Sequence, residues 1–167
     1  MRIVKNGDVH VSAPLLLSRK KIEQFIEKHR DWIEKAHLRR IETEQKRKQF
    51  YERLPLKKRS ERSEAVQRLD TKVRPLLAYH APKMGVNPSE ITYKATTSRW
   101  GMCNSRTRQI CFSLYLLLLP DWCIEHVVVH ELAHLKEANH GPRFYALMDQ
   151  HFPMWKEARK TTAKMVI

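Results

Sequence analysis

Cysteine, glycine and uninterrupted hydrophobic sequence are all scarce in this chain, and each scarcity removes a class of protein. Three cysteines, Cys103, Cys111 and Cys123, are too sparse and odd in number for a disulfide framework, which points to a reducing, cytoplasmic setting. Four glycines, none in a Gly-rich phosphate loop, argue against a P-loop or a dinucleotide fingerprint. The longest apolar run, Leu114 to Leu119, has six residues, whereas a bilayer span needs about 18. The opening Met1-Arg2-Ile3-Val4-Lys5 contains no apolar stretch of signal-peptide length. Neither membrane insertion nor a leader is therefore expected. Acidic residues are the minority, 18 Asp and Glu against 32 Lys and Arg, for a net charge of +14. That balance excludes an acidic disordered tail and predicts attraction to polyanions.

What remains is a 167-residue chain, 42% hydrophobic, long enough to bury a core without disulfides or a structural metal. We read it as a single domain, 1–167, in three parts. Residues 1–17 suggest a hairpin, with Asn6-Gly7 as its turn between Ile3-Val4 and Val9/Val11. Residues 18–88 suggest basic helices. One is capped by Ser18, carries Ile22, Phe25, Ile26, Ile33 and Ala36 at helical spacing, and is stopped by Pro55; a second runs from Ser60 to about Tyr79, kinked or divided at Pro75. The basic excess lies here: residues 1–75 hold 21 Lys and Arg against 11 Asp and Glu, residues 76–167 hold 11 against 7. Residues 89–167 change character. Strands are expected at Ile91–Thr97, Arg99–Cys103 and Ile110–Leu116, the last two joined by a turn over Asn104–Arg108. A helix capped by Asp121 should run to about Ala138, with Asn139 in a left-handed conformation after it. Gly141-Pro142 opens another helix, and a last helical segment holds Trp155 and Ala158.

Chemistry concentrates in His130-Glu131-Leu132-Ala133-His134, an H-E-x-x-H string. Residues four apart stack on one helix face, so His130 and His134 can chelate one ion, and neutral imidazole is a good ligand for zinc. Glu131 points about 100° around the helix from His130. It can lean beside the metal without binding it, where a general base takes a proton from water. His140, just past the expected helix end, is the candidate third ligand, and three protein ligands with one open position describe a catalytic rather than a structural site. His126 lies about 12 Å along the axis from His134 and cannot join both others on one ion; it reads as cleft wall or ordinary packing. His10, His29, His37, His80 and His151 have no ligand spacing. Cys103 and Cys111, near-opposite across the turn, read as packed thiols, with a redox pair or a soft metal site as the alternatives.

These residues resemble the YgjP-like zinc metallopeptidases, relatives of the WLM and SprT-like proteases. The likeness rests on His130-Glu131-Leu132-Ala133-His134-Leu135, Asn139-His140 and Phe144. It extends to Arg99-Trp100-Gly101-Met102-Cys103, which matches an R-W-G-S-C element except for Met102, to the strand and Pro120 before the motif helix, and to Ala13-Pro14 and Trp32-Ile33. The resemblance implies an α+β, zincin-like minimal metallopeptidase domain: a small antiparallel or mixed sheet packed on the H-E-x-x-H helix, with an N-terminal hairpin and long basic helices. It implies one catalytic Zn²⁺ held by His130, His134 and His140, and Glu131 as the base in peptide-bond hydrolysis by zinc-activated water, the activity of a zinc metalloendopeptidase. It also gives the strands near Arg99 a role in pairing with an extended substrate, with Trp100–Cys103 or Gln109–Ser113 as the candidate strand. Arg99, Trp100, Gly101, Met102, Cys103 and Tyr145 are the expected substrate-binding residues, and Tyr145, Tyr115, Arg143 and Arg99 the candidate oxyanion donors.

Two other readings compete. The basic helices, through Arg39, Arg40, Lys46, Arg47 and Lys48, could dock the enzyme on DNA or RNA so that it acts on nucleic-acid-bound proteins. Alternatively the chain is a nucleic-acid-binding module with a structural metal, which would need a fourth protein ligand that no spacing supplies. The expected partners are a protein or peptide substrate and, through those helices, nucleic acid; oligomeric state is left open.

Overall fold

A computed structural model describes residues 1–4 and 8–166 of the chain. The residues form two compact units, Met1–Lys48 and Gln49–Ile167. In the first, strands β1 (Arg2–Ile3) and β2 (Val9–His10) pair antiparallel, Arg2 opposite His10 and Ile3 opposite Val9. The Asn6-Gly7 turn expected between them lies outside the described residues. The single long helix expected after Ser18 is instead two, α1 (Arg19–Lys28) and α2 (Arg30–Glu52). The break falls at His29, whose backbone leaves the helical region at φ −109°, ψ 17°. Its ring Nδ1 lies 2.7 Å from the Phe25 carbonyl oxygen, and such a local bond competes with the helical ladder. Ser18 caps α1 with its backbone only. The helix α2 ends at Glu52, before Pro55, as the proline requires.

The second unit begins within α2 and continues into α3 (Arg59–Lys83), where the Lys58 N–H donates to the Glu61 carboxylate at 2.9 Å. Pro75 was expected to kink or divide this helix; α3 is not divided and runs through both Pro75 and Pro82. Leu69, Val73, His80 and Ala81 are buried on either side of Pro75 and hold both halves to one core. Pro75 and Thr71 are exposed, so the Thr71 carbonyl that loses its partner faces water.

Next come β3 (Glu90–Lys94), β4 (Gly101–Asn104) and β5 (Gln109–Ser113), in the order β3-β5-β4. β5 runs parallel to β3 and antiparallel to β4, so the sheet is mixed and β4 is an edge. The expected strand to Leu116 stops at Ser113, and Leu114–Leu118 form a 3-10 turn. The Ser113 hydroxyl causes the stop, donating to the Thr96 carbonyl at 2.6 Å and accepting from the Tyr115 N–H at 3.3 Å. Cys103 faces Ile110 and Cys111 faces Met102 across the hairpin. The two thiols therefore lie on opposite sides of the sheet, and both are unbridged, which removes the redox-pair and soft-metal alternatives.

Three helices complete the unit: α4 (Asp121–His134), α5 (Pro142–His151) and α6 (Trp155–Val166). Pro120, not Asp121, is the N-cap of α4; Asp121 sits in the first turn, favourable for a carboxylate, and pairs with Lys72 at 2.6 Å. Apolar residues surround this helix, with Cys123, Ile124, Val127, Val128, Val129, Leu132 and Ala133 all buried. A helix apolar on all sides must be central, and α4 packs against α3, α5, α6 and β4. It ends at His134, four residues short of expectation. The N–H groups of Leu135 and Lys136 close tight turns onto Leu132 and Ala133, and among the described residues the left-handed ones are Arg108 and Gly85, not Asn139. None of the described helices is long and apolar enough to cross a membrane.

Candidate active site

The central position of α4 gives its motif residues their chemistry. His130 and His134 rise from the last turns of the helix, and the short turns after His134 return the chain so that His140 meets them. The Nε2 atom of His130 lies 3.2 Å from Nε2 of His134 and 3.1 Å from Nε2 of His140. The three ligand atoms all fall within 4.8 Å of one another. Two nitrogens bound tetrahedrally to one metal at about 2.0–2.1 Å would stand about 3.3 Å apart, so the triad has the spacing of a metal centre. The Glu137 carbonyl lies 3.1 Å from Nδ1 of His134. It fixes the ring proton there and leaves the Nε2 lone pair toward the other two rings. Phe144, from α5, floors the triad, its ring centre 4.9, 4.7 and 4.7 Å from those of His130, His134 and His140. Burial, reinforced by the neighbouring imidazoles, pushes His130 down to about 3, and burial lowers His134 as well. Both rings are thus held neutral, the form that ligates a cation.

Glu131 lies against Gly101 of β4 and lines the same clefts as His130 and His140. Only 5% of it is exposed. Burial pushes its carboxyl up to about 8, against the opposing pull of the Arg99 charge. It lies directly across Gly101: a methyl group there would stand 2.6 Å from Cγ and 2.7 Å from Cδ of Glu131. The glycine at this position is a requirement of space, since any side chain would displace the carboxylate.

Two clefts border the triad. One, of about 370 Å³, has Arg99, Trp100, His126, Tyr145 and Trp155 in its wall; the other, of about 400 Å³, has Met102, Cys103 and Ser105. His130, Glu131, His140, Arg99 and Gly101 line both. Every expected substrate-binding residue, Arg99, Trp100, Gly101, Met102, Cys103 and Tyr145, therefore borders the site. Of the candidate oxyanion donors, Arg99 and Tyr145 reach the clefts, while Tyr115 packs edge-on against Tyr51 at 4.7 Å and Arg143 lines neither cleft. Gln109–Ser113 is excluded as a substrate-pairing strand because β5 is paired on both edges. His126 is a cleft wall, its ring 5.9 Å from that of His130, and is lowered to about 4 by burial and by Arg159. Arg39, Arg40, Lys46, Arg47 and Lys48 belong to α2 in the first unit.

Sequence reasoning missed the contribution of α6. Trp155, Arg159 and Thr162 all line the cleft walled by Trp100 and Tyr145, at the i, i+4, i+7 spacing of a single helix face. That spacing was visible, but nothing in the sequence said which element the face would meet.

The family described as YgjP-like, metallopeptidase domain, matches residues 1–68 and 55–165 of the chain. No curated protein and no solved structure matches it.

Proposed function

The chain belongs to the YgjP-like metallopeptidase family, and from that premise we propose that it is a zinc-dependent endopeptidase with a zincin-like arrangement of sheet and helix. The observation that carries the reading is the pairing of three converging imidazole nitrogens with a buried carboxyl at the adjacent position, pressed against an edge strand. His130, His134 and His140 would hold the metal. Imidazole nitrogens suit zinc, and three protein ligands leave a position for substrate. When bound, the metal supplies Lewis acidity, polarising the scissile carbonyl and making water acidic enough to attack near neutral pH.

The remaining work falls to the chain itself. A Glu131 carboxylate oxygen accepts the proton of the attacking water and later delivers it to the leaving amine. Its buried setting raises its proton affinity, which suits a group that must take and return a proton. The unpaired edge of β4 binds an extended peptide through backbone hydrogen bonds, which tolerates many sequences. Arg99 and Tyr145 border the reacting carbonyl as donors to its developing negative charge.

The test is metal analysis of the purified protein alongside cleavage of casein and of short peptides, with and without chelator. We expect about one zinc per chain, and cleavage that chelator abolishes and added zinc restores. A protein that holds no metal, or that cleaves equally well with chelator present, would overturn the proposal.

A further inference from the structure

The cleft of about 370 Å³ beside the triad has an end that the proposed chemistry leaves unused. Its aromatic side is Tyr145 stacked on Trp155, centroids 5.0 Å apart. Its far end is built by Arg159, His126 and Thr162. His126 and Thr162 are 7% and 6% exposed. Thr162 donates its hydroxyl to the Arg159 carbonyl at 2.9 Å, which ties it to the backbone of α6. The Nδ1 atom of His126 is buried with no hydrogen-bond partner. A buried N–H without an acceptor is costly, so the ring proton belongs on Nε2, where it is a donor for whatever enters. Among the described residues no carboxylate pairs with Arg159. The one acid in the wall of the cleft, Glu131, stands beside the triad.

This end therefore offers a guanidinium and an imidazole N–H with no acceptor, against aromatic walls that suit short methylene stems. We propose that it is a subsite for a carboxylate carried by the substrate, either an Asp or Glu side chain near the scissile bond or the C-terminal carboxylate of a short peptide. Arg159 is its charge partner and His126 its second donor. Charge-assisted bonds of this kind are about twice as strong as neutral ones, and a guanidinium can hold both carboxylate oxygens. The proposal rests on the peptidase reading for the identity of the ligand, but not for the presence of the site.

The test uses the full chain carrying Glu131→Gln, so that peptides stay intact. An alanine host peptide carries one Glu, or the isosteric Gln, walked through its central four positions; the same host ends in a free acid or an amide. Affinities are read by calorimetry in this parent, with Arg159→Gln added, and with Lys160→Gln added as a neighbour outside this cleft. We expect one Glu position, or the free acid, to bind about tenfold more tightly than its neutral twin. Arg159→Gln should bring that ratio below two, and Lys160→Gln should leave it unchanged. A ratio near one in the parent, or a tenfold ratio that survives Arg159→Gln, overturns the subsite. Cleavage of neutral peptides by the unmodified protein is scored separately. Discrimination without any cleavage would keep the subsite and discard the peptidase reading.

Discussion

The two units are both mostly helical, yet they are stabilised by different physics. In Met1–Lys48 no described residue is buried, and Phe25, Trp32, Leu38 and Ile41 are exposed. Its helices carry surface ion pairs one turn apart, Arg19–Glu23, Arg30–Glu27 and Lys46–Glu42, which water and salt screen, so they add little to stability. In Gln49–Ile167 one contiguous core surrounds α4. The histidines register the difference. His29 meets the carbonyl of its own helix at an exposed site, whereas His130 is desolvated, neutral and aimed at two other rings. The same side chain is held neutral and gathered with other imidazoles only where a core removes water and fixes its neighbours.

The comparison breaks most visibly at the glutamates. Glu131→Gln should lower kcat/KM by about 10³-fold, within the range of about 10²–10⁴ for a general base, with bound metal unchanged. Glu42→Gln, on α2, should leave kcat/KM within about twofold. Peptide assays with metal quantitation check both. Full activity in Glu131→Gln with metal still bound would remove the role assigned to it.

A second contrast concerns stability. Phe112 is fully buried between β3 and β4, whereas Leu38 on α2 is exposed. Phe112→Ala should destabilise by about 3–5 kcal/mol through lost burial and a cavity, and Leu38→Ala by less than about 0.5 kcal/mol. Urea unfolding followed by circular dichroism measures both. Comparable losses would mean that α2 buries its apolar side chains against something in solution.

Gly101→Ala is a subtler intervention in the second unit, because it touches the site without altering a ligand. The added methyl group must push the Glu131 carboxyl aside. A displacement of about 1 Å can cost about 10²-fold in rate. We expect kcat to fall by about 10- to 100-fold while metal stoichiometry and melting temperature stay close to those of the parent protein. A variant with unchanged kcat would show that the carboxyl works from another position.

These contrasts also explain what could be read from the sequence. His130, Glu131 and His134 were legible because i, i+4 spacing maps directly onto one helix face. His140 was legible because the chain had to turn nearby, although the turn uses Leu135 and Lys136 rather than a left-handed Asn139. The steric role of Gly101 was not legible, since it depends on how closely β4 approaches α4. Nor was the end of β5: Leu114–Leu118 is a short apolar run that periodicity cannot assign to strand or helix, and a Ser113 hydroxyl bond to a distant carbonyl decided it. The continuity of α3 through Pro75 came from packing on both sides of the proline, which overrides local propensity.

The smallest expected effect on catalysis tests the charge itself. The stretch from Arg39 to Lys48 carries Arg39, Arg40, Lys46, Arg47 and Lys48, but also Glu42 and Glu44, and Glu42 holds Lys46 at 2.6 Å. Its net attraction for a polyanion is therefore smaller than the count of basic residues suggests. Replacing all five with Ala should change kcat/KM on a short neutral peptide by less than about twofold, because the proposed site, His130, Glu131, His134 and His140, lies on α4 and the turn after it. Any duplex DNA binding should weaken, and its salt dependence should flatten. Each phosphate contact adds about 0.9 to the slope of log affinity against log salt, so five residues partly neutralised by two acids should remove about 2 to 4 from it. A slope that does not move would leave these side chains with solubility and helix pairing as their only work, and would make the charge of the first unit a property of its surface rather than of its function.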